Sequence, residues 1–310
     1  MTIYYISSGH KDGLGGNIRH LIKANIYAKN HNYEFINFCN PLIRHSKPFY
    51  KTFSLFSRYK KLGDLPDHSK IFVYGDKYSV EVIELIKTEF SYKKFEIIED
   101  SSNEIYEEIV QLPYDQELRE YHQKIFHSRD NSKYNMCHPG YINIVMHVRR
   151  GDVWKKVKDG TRLDYMKRLT KSVSYIKAVK HLMKVLPKNF KIILFSEGKE
   201  EDFMDFRERF HKIEMYIDRE EWRYIIDNEE TEHPDYEKAV DNLKKMIVTG
   251  AKAEIFLGAK SHLSHILAYL NKNYCFFEGY FYEKLNRLKR IHFFDRIPEI
   301  INKDTFGKKD

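Results

Sequence analysis

Short apolar runs alternate along this chain with longer stretches whose apolar residues recur at helical spacing. In the second half, Ile142–Met146, Lys191–Phe195, Glu214–Ile217, Glu254–Leu257 and Tyr274–Phe277 are predicted strands. The helices between them are predicted at about Tyr165–Leu186, Glu201–Phe210, Tyr236–Val248 and His262–Asn271. The first half repeats the pattern more loosely. TIYYI at 2–6 is a β-prone run, SSGHKDGLGGN is a turn-rich loop, and Ile18–Lys29 carries Ile18, Leu21, Ile22, Ile26 and Tyr27 at helical spacing. Strands are predicted at Asn32–Phe38, Lys70–Tyr74 and Lys94–Ile98, with a helix at Val80–Phe90. Between them, 40–68 is basic, aromatic and broken by Pro41, Pro48 and Pro66. Polar text from Asp100 to Pro139 holds a connecting helix at Asp115–His127 and ends in loop chemistry, NSKYNMCHPG. Strands alternating with helices imply parallel sheets with right-handed crossovers. The expected architecture is α/β: two Rossmann-like domains facing a cleft, spanning 1–138 and 139–310.

The strand Ile142–Met146 opens the most informative segment, INIVMHVRRGD at 142–152. A near-continuous hydrophobic run reads as a parallel strand buried on both faces. The polar cluster His147, Arg149, Arg150 and Asp152 then falls at its C-terminal end, where ligands bind in open α/β sheets. Two arginines there suit phosphate, because guanidinium offers a planar fork of donors. The plainer alternative is a solvated strand end whose Arg and Asp pair with each other.

Charge supports an anionic ligand without choosing it: the formal net charge is +8. The basic, aromatic stretch between Arg44 and Lys61 matches no nucleic-acid-binding motif, so nucleic acid is not expected as a partner. Cys39, Cys137 and Cys275 are odd in number and far apart. They indicate neither a disulfide framework nor a zinc ribbon, and imply a reducing compartment. The N-terminus lacks signal-peptide features, and no apolar run approaches the ~20 residues of a membrane span. A cytoplasmic protein is expected, with peripheral membrane association through basic charge left open.

Three further segments carry candidate chemistry. Gly15, Gly16 and Asn17 in GLGGN stand where backbone N–H groups can approach a phosphate or sugar, or where a tight turn simply starts a helix. Ser196 and Glu197 end the strand after the arginine motif; a carboxylate there accepts from a guanine edge or a ribose, or the pair caps a helix. Ser261 and His262 lie between a strand and a helix in KSHLSH, fit to hold a phosphate or to serve as a cap with surface histidines. His262 and His265 have no acidic or Cys partner at metal-site spacing. Lys155, Lys156 and Lys158 in WKKVKDG read as a solvated charged loop.

Taken together, these segments resemble the GDP-fucose-dependent fucosyltransferases of the α-1,2, α-1,6 and protein-O types. The family hallmark H-x-R-R-x-D corresponds to His147, Arg149, Arg150 and Asp152. GLGGNIRHL at 13–21 is similar to the family's glycine loop, FSEG at 195–198 to its FSDD or ATDD segment, and KSHLSHILAYL at 260–270 to its Ser-rich turn. The chain departs from the α-1,6 enzymes at two places. Met246 occupies the position of an Asp that contacts guanine, with Asp241 out of register, and Val157 occupies that of a proposed Glu base, beside Asp159.

The resemblance implies a GT-B fold and an inverting transfer of fucose from GDP-fucose to a hydroxyl of a glycan or polysaccharide, with no metal and no other cofactor. It implies Arg149 as the catalytic group on the β-phosphate and His147, Arg150, Asn17, Gly15, Gly16, Glu197, Ser196, Ser261 and His262 around the donor. Asp152 is the candidate base, ahead of Asp159. The N-terminal domain would take the acceptor and the C-terminal domain the donor. Two alternatives stand beside this reading: a related transferase using another nucleotide sugar, and a non-catalytic polyanion-binding protein.

Overall fold

A computed structural model of the 310-residue chain describes residues 2–7, 14–36, 61–74, 79–100, 103–160, 166, 169–187, 189–219, 222, 225–226, 231–278, 285, 288–302 and 305–306. The chain divides into two compact units, Met1–Arg129 and Asp130–Asp310.

The first unit carries a four-stranded sheet in the order β2-β1-β3-β4, parallel at every pairing. The strands are β1 (Ile3–Ser7), β2 (Glu34–Phe35), β3 (Lys70–Tyr74) and β4 (Glu96–Asp100). One face of the sheet closes on Tyr4, Ile6, Ile71, Val73, Val82 and Ile86, all buried. Helix α1 (Leu14–Asn30) starts earlier than its apolar spacing suggests, so Gly15, Gly16 and Asn17 lie in its first turn and not in a loop. The first four N–H groups of a helix have no intrahelical partner, so glycine is least costly there. Both glycines are buried, where a side chain would compete for room. Residues 8–13 of the expected loop lie outside the described residues. After α2 (Ser79–Glu89), the polar stretch holds a helix that its composition concealed, α3 (Asn103–Gln111). It packs on α1, and Ile109 is fully buried. Helix α4 (Gln116–His127) follows, capped by Asp115, whose carboxylate accepts from Leu118 N at 2.6 Å.

The second unit is built on six parallel strands in the order β10-β9-β8-β5-β6-β7. They are β5 (Ile142–Val148), β6 (Phe190–Glu197), β7 (Ile213–Asp218), β8 (Ile255–Gly258), β9 (Tyr274–Phe277) and β10 (Ile291–Phe293). Counted from β5, this is the doubly wound order 3-2-1-4-5-6. The chain moves outward through β6 and β7, then returns and places β8 against the other edge of β5. All seven residues of β5 are buried, as a strand covered on both faces requires.

The helices of this unit are α5 (Gly151–Lys158), α6 (Ser172–Val185), α7 (Met204–Arg209), α8 (Tyr236–Lys252), α9 (His262–Leu270) and α10 (Ile297–Ile300). Helix α5 corrects the charged-loop reading of WKKVKDG. Val153, Trp154 and Val157 form a stripe inward while Lys155 and Lys158 stay exposed. Helix α6 begins seven residues later than expected, and most of 161–168 lies outside the described residues. No helix among the described residues is long and apolar enough to cross a membrane.

Candidate functional site

The strand order reverses between β5 and β8. In open α/β sheets this is where ligands bind. The C-terminal ends of both strands carry polar residues of the motifs, and a hydrogen bond joins them. His147 Nδ1 lies 2.6 Å from Ser264 Oγ, and both side chains are buried. The Ser264 hydroxyl also accepts from Ala259 N at 2.9 Å, while Ser261 Oγ is farther off at 3.3 Å. The short contact between Ser264 Oγ and His147 Nδ1 fixes the orientation of the imidazole. Burial, reinforced by the charge of Arg149, pushes the His147 pKa down to about 3. The ring is therefore neutral at physiological pH.

The end of β5 is pinned from two sides. Tyr175 in α6 donates its hydroxyl to His147 O at 2.9 Å, and the Ser196 hydroxyl donates to Val148 O. This explains Ser196, which is buried with its proton committed to the neighbouring strand. Its role is to clamp the strand end, and its hydroxyl faces no opening.

The two adjacent arginines part company. Arg150 is 3% exposed: its Nη2 donates to Ser172 Oγ at 2.6 Å, its Nη1 to Thr170 O at 3.3 Å, and its guanidinium lies 4.9 Å from the Trp154 ring centre. Burial lowers its pKa from the usual arginine value. Arg150 is thus a brace inside the unit. Arg149 is only half-buried, on the stretch that leaves the strand beside His147.

Gly151 lets the chain turn there. Its φ of +48° lies in the left-handed region, and a Cβ would stand 2.7 Å from Glu197 Oε2. No other residue fits while Glu197 keeps its place. Glu197 ends β6, in register with Asp218 at the end of β7. Burial, with Glu197 adding to it, raises the Asp218 pKa to about 6, against a hydrogen bond from Asn242 Nδ2 at 2.9 Å.

On the β8 side, Ser261 is the N-cap of α9 and accepts from Ser264 N at 3.1 Å. The first turn of α9 has no acidic residue. The positive end of its dipole favours an anion at this corner. His262 is half-buried in that turn, and Lys260, just before it, pairs with Glu278 at 3.2 Å. Among the described residues, no group of three or more His, Cys, Asp or Glu is placed to hold a metal ion.

The structure therefore brings together His147, Arg149, Ser261 and His262 at the reversal, with Ser264 between them. It sets Arg150 and Ser196 behind them, and Glu197 beside Gly151. Asp152 lies in the first turn of α5, but its side chain is outside the described residues. Asp159 closes the other end of α5, about 12 Å along the helix axis from the motif at 1.5 Å per residue. Met246 is buried in α8. Gly15, Gly16 and Asn17 belong to the other unit, in the buried first turn of α1.

Ser264 shows in the sequence only as the second serine of KSHLSH. Its signal is the Ser-x-x-Ser spacing, which puts a second hydroxyl over the cap, on the buried side of the helix. Tyr175 left no sequence signal at all.

No protein-family model and no curated protein matches this chain. Its solved neighbours are fucosyltransferases. POFUT1 in its apo form is 11% identical, with a TM-score of 0.48, over 90% of this chain and 98% of its own. POFUT1 in complex with GDP-fucose is 10% identical, with a TM-score of 0.46, over 94% and 97%. The fucosyltransferase NodZ from Bradyrhizobium is 13% identical, with a TM-score of 0.42, over 87% and 94%. At such identities no residue role passes from them to this chain.

Proposed function

We propose that the chain is a glycosyltransferase that moves fucose from GDP-fucose to a hydroxyl of a glycan, with inversion and without a metal ion. The observation that carries this reading is the placing of Arg149. It leaves the central strand at the reversal, two residues after the neutral His147, whose ring is bonded to Ser264 of α9.

The chemistry follows from that placing. The sugar C1–O bond to the β-phosphate breaks, the acceptor oxygen bonds to C1 from the opposite face, and the acceptor proton passes to a base. Negative charge grows on the departing GDP while the ring becomes oxocarbenium-like. The Arg149 guanidinium neutralises the departing charge, and the positive end of the α9 dipole favours the diphosphate beside it. His147 brings no charge. It offers a polar ring whose orientation is set by Ser264. Asp152 stands as the candidate base.

Arg149→Ala is expected to lower transfer by about 10²–10³-fold, the usual cost of one preorganised donor, with the fold intact. Activity is followed as GDP release with GDP-fucose and a glycan mixture, and circular dichroism checks the fold. Unchanged turnover in a folded Arg149→Ala protein sinks the assignment. The buried Met246 offers guanine no carboxylate, and this favours one second reading: transfer from another nucleotide sugar. Calorimetry with GDP, UDP and ADP separates the two. Micromolar binding of GDP alone, about −8 kcal/mol, supports fucose; a preference for UDP or ADP replaces it.

A further inference from the structure

A cavity of about 920 Å³ lies beside the motif and has no part in the donor chemistry above. Its wall starts at Gly151 and Gly198, where β5 and β6 end, runs along α5 and continues to Arg219 and Trp222 beyond β7. It is therefore on the β6–β7 side of the motif, while Ser264 and α9 are on the β8 side.

Both tryptophans of the chain, Trp154 and Trp222, line this cavity. Trp154 is held in place: its Nε1 donates to Asp202 Oδ1 at 3.1 Å, and Arg150 packs against its ring. Trp222 is 6% exposed, and its Nε1–H meets no acceptor among the described residues. Around the two indoles the described lining has four basic side chains, Lys158 and Arg219 among them, and four carboxylates, Asp159 and Asp235 among them. The charges balance, which disfavours a polyanion.

Balanced donors and acceptors around indole rings match the chemistry of a sugar. Its C–H faces pack on aromatic rings, and its hydroxyls both donate and accept. A nucleotide fits less well. Four carboxylates line this cavity, and each opposes a phosphate. The acid-free turn is that of α9, on the far side of the motif. The volume is within the roughly 300–1,000 Å³ of small-molecule sites, enough for more than one sugar ring. We propose that this cavity binds a neutral saccharide, which on the transferase reading above is the acceptor, taken on the second unit and not on the N-terminal domain as the resemblance implies.

Because no tryptophan lies elsewhere in the chain, tryptophan emission reports this cavity. The whole protein is screened on an array of defined neutral and acidic oligosaccharides. The strongest binder is then titrated in solution with emission recorded, and GDP is titrated separately by calorimetry. A neutral oligosaccharide is expected to bind with a saturable emission change that GDP does not reverse. Trp222→Phe shrinks the aromatic wall and removes one of the two emitters, and should lower both the saccharide affinity and the emission change at unchanged GDP affinity. A Lys158→Ala, Asp159→Ala double variant alters only exposed side chains, so a shared loss of saccharide affinity cannot come from unfolding. Three results overturn the proposal: no oligosaccharide binds; one binds without an emission change and is indifferent to both variants; or GDP itself changes the emission and competes, which makes the cavity the nucleotide site. Saccharide binding without GDP binding removes the donor reading and leaves the cavity assignment in place.

Discussion

Ser264 is where the two strand ends are tied together, and its replacement by alanine tests the construction of the site. The side chain is fully buried. Its oxygen accepts from Ala259 N at 2.9 Å and joins His147 Nδ1 at 2.6 Å. Ser264→Ala strands both partners in a buried setting. Each unsatisfied group costs about 1–3 kcal/mol, so roughly 2–6 kcal/mol is expected in all. For a unit of this size that is a fall in melting temperature of roughly 4–24 °C. The comparison variant is Ser261→Ala, which removes an N-cap bond, 3.1 Å from Ser261 Oγ to Ser264 N, worth about 1 kcal/mol. Urea titrations of the two variants, with the wild type as reference, give the difference directly. If Ser264→Ala is no more destabilised than Ser261→Ala, the bond between the strand ends does not hold the site.

Two further outcomes follow from the same geometry. Gly151→Ala places a methyl group 2.7 Å from Glu197 Oε2 at a left-handed φ, and should cost about 1–3 kcal/mol with loss of GDP binding; stability and GDP binding at wild-type levels would show that the turn is unconstrained. The units should also differ in acid. His122 in the first unit and His147 in the second are both held down to about 3 from 6.5 by burial. Each contributes stability that is whole above pH 6.5 and lost as pH falls toward 3, about 3 kcal/mol by roughly pH 4.5. Asp218, raised from 3.8 to about 6, works the other way: its burial penalty is present above pH 6 and relieved as pH falls, returning about 2 kcal/mol by roughly pH 4.5. Hydrogen exchange on the whole chain should therefore show α4 and its neighbours losing protection before the β5–β7 core; the reverse order would contradict this.

Much of the site was legible because parallel strands are covered on both faces. Seven buried residues in a row announce β5, and the abrupt change to His-Val-Arg-Arg marks its end. The Ser-rich turn before α9 was equally plain. What stayed hidden depends on partners distant in sequence. His147 and Ser264 are 117 residues apart and meet because the strand order reverses between β5 and β8. No local pattern carries that information. Helices α3 and α5 were missed because a narrow apolar stripe is outnumbered by charge: the lysines of α5 dominate its composition, yet Val153 is fully buried. The three residues of β10 are too few to show any period. Glycine in the first turn of α1 misled for a different reason. It signals a loop by composition, but the first turn is where a helix tolerates it best.

The Arg149–Arg150 pair shows why neighbouring residues of one type need not share a task. Successive side chains at the end of a strand point to opposite faces. Val148 faces the core that α6 covers, and Arg150 continues toward that side, where Ser172, Thr170 and Trp154 engage its guanidinium. His147 faces α9 through Ser264, and Arg149 follows it. A buried guanidinium would be a poor choice for stability alone, since its desolvation is expensive. Its value here is positional. Held by its hydrogen bonds and an indole, Arg150 fixes the backbone one residue beyond Arg149, while Tyr175 and Ser196 fix the carbonyls of the two residues before it. A charge that must meet a diphosphate on arrival is more effective when it needs no reorganisation. In this reading, the arginine that touches no ligand prepares the one that does.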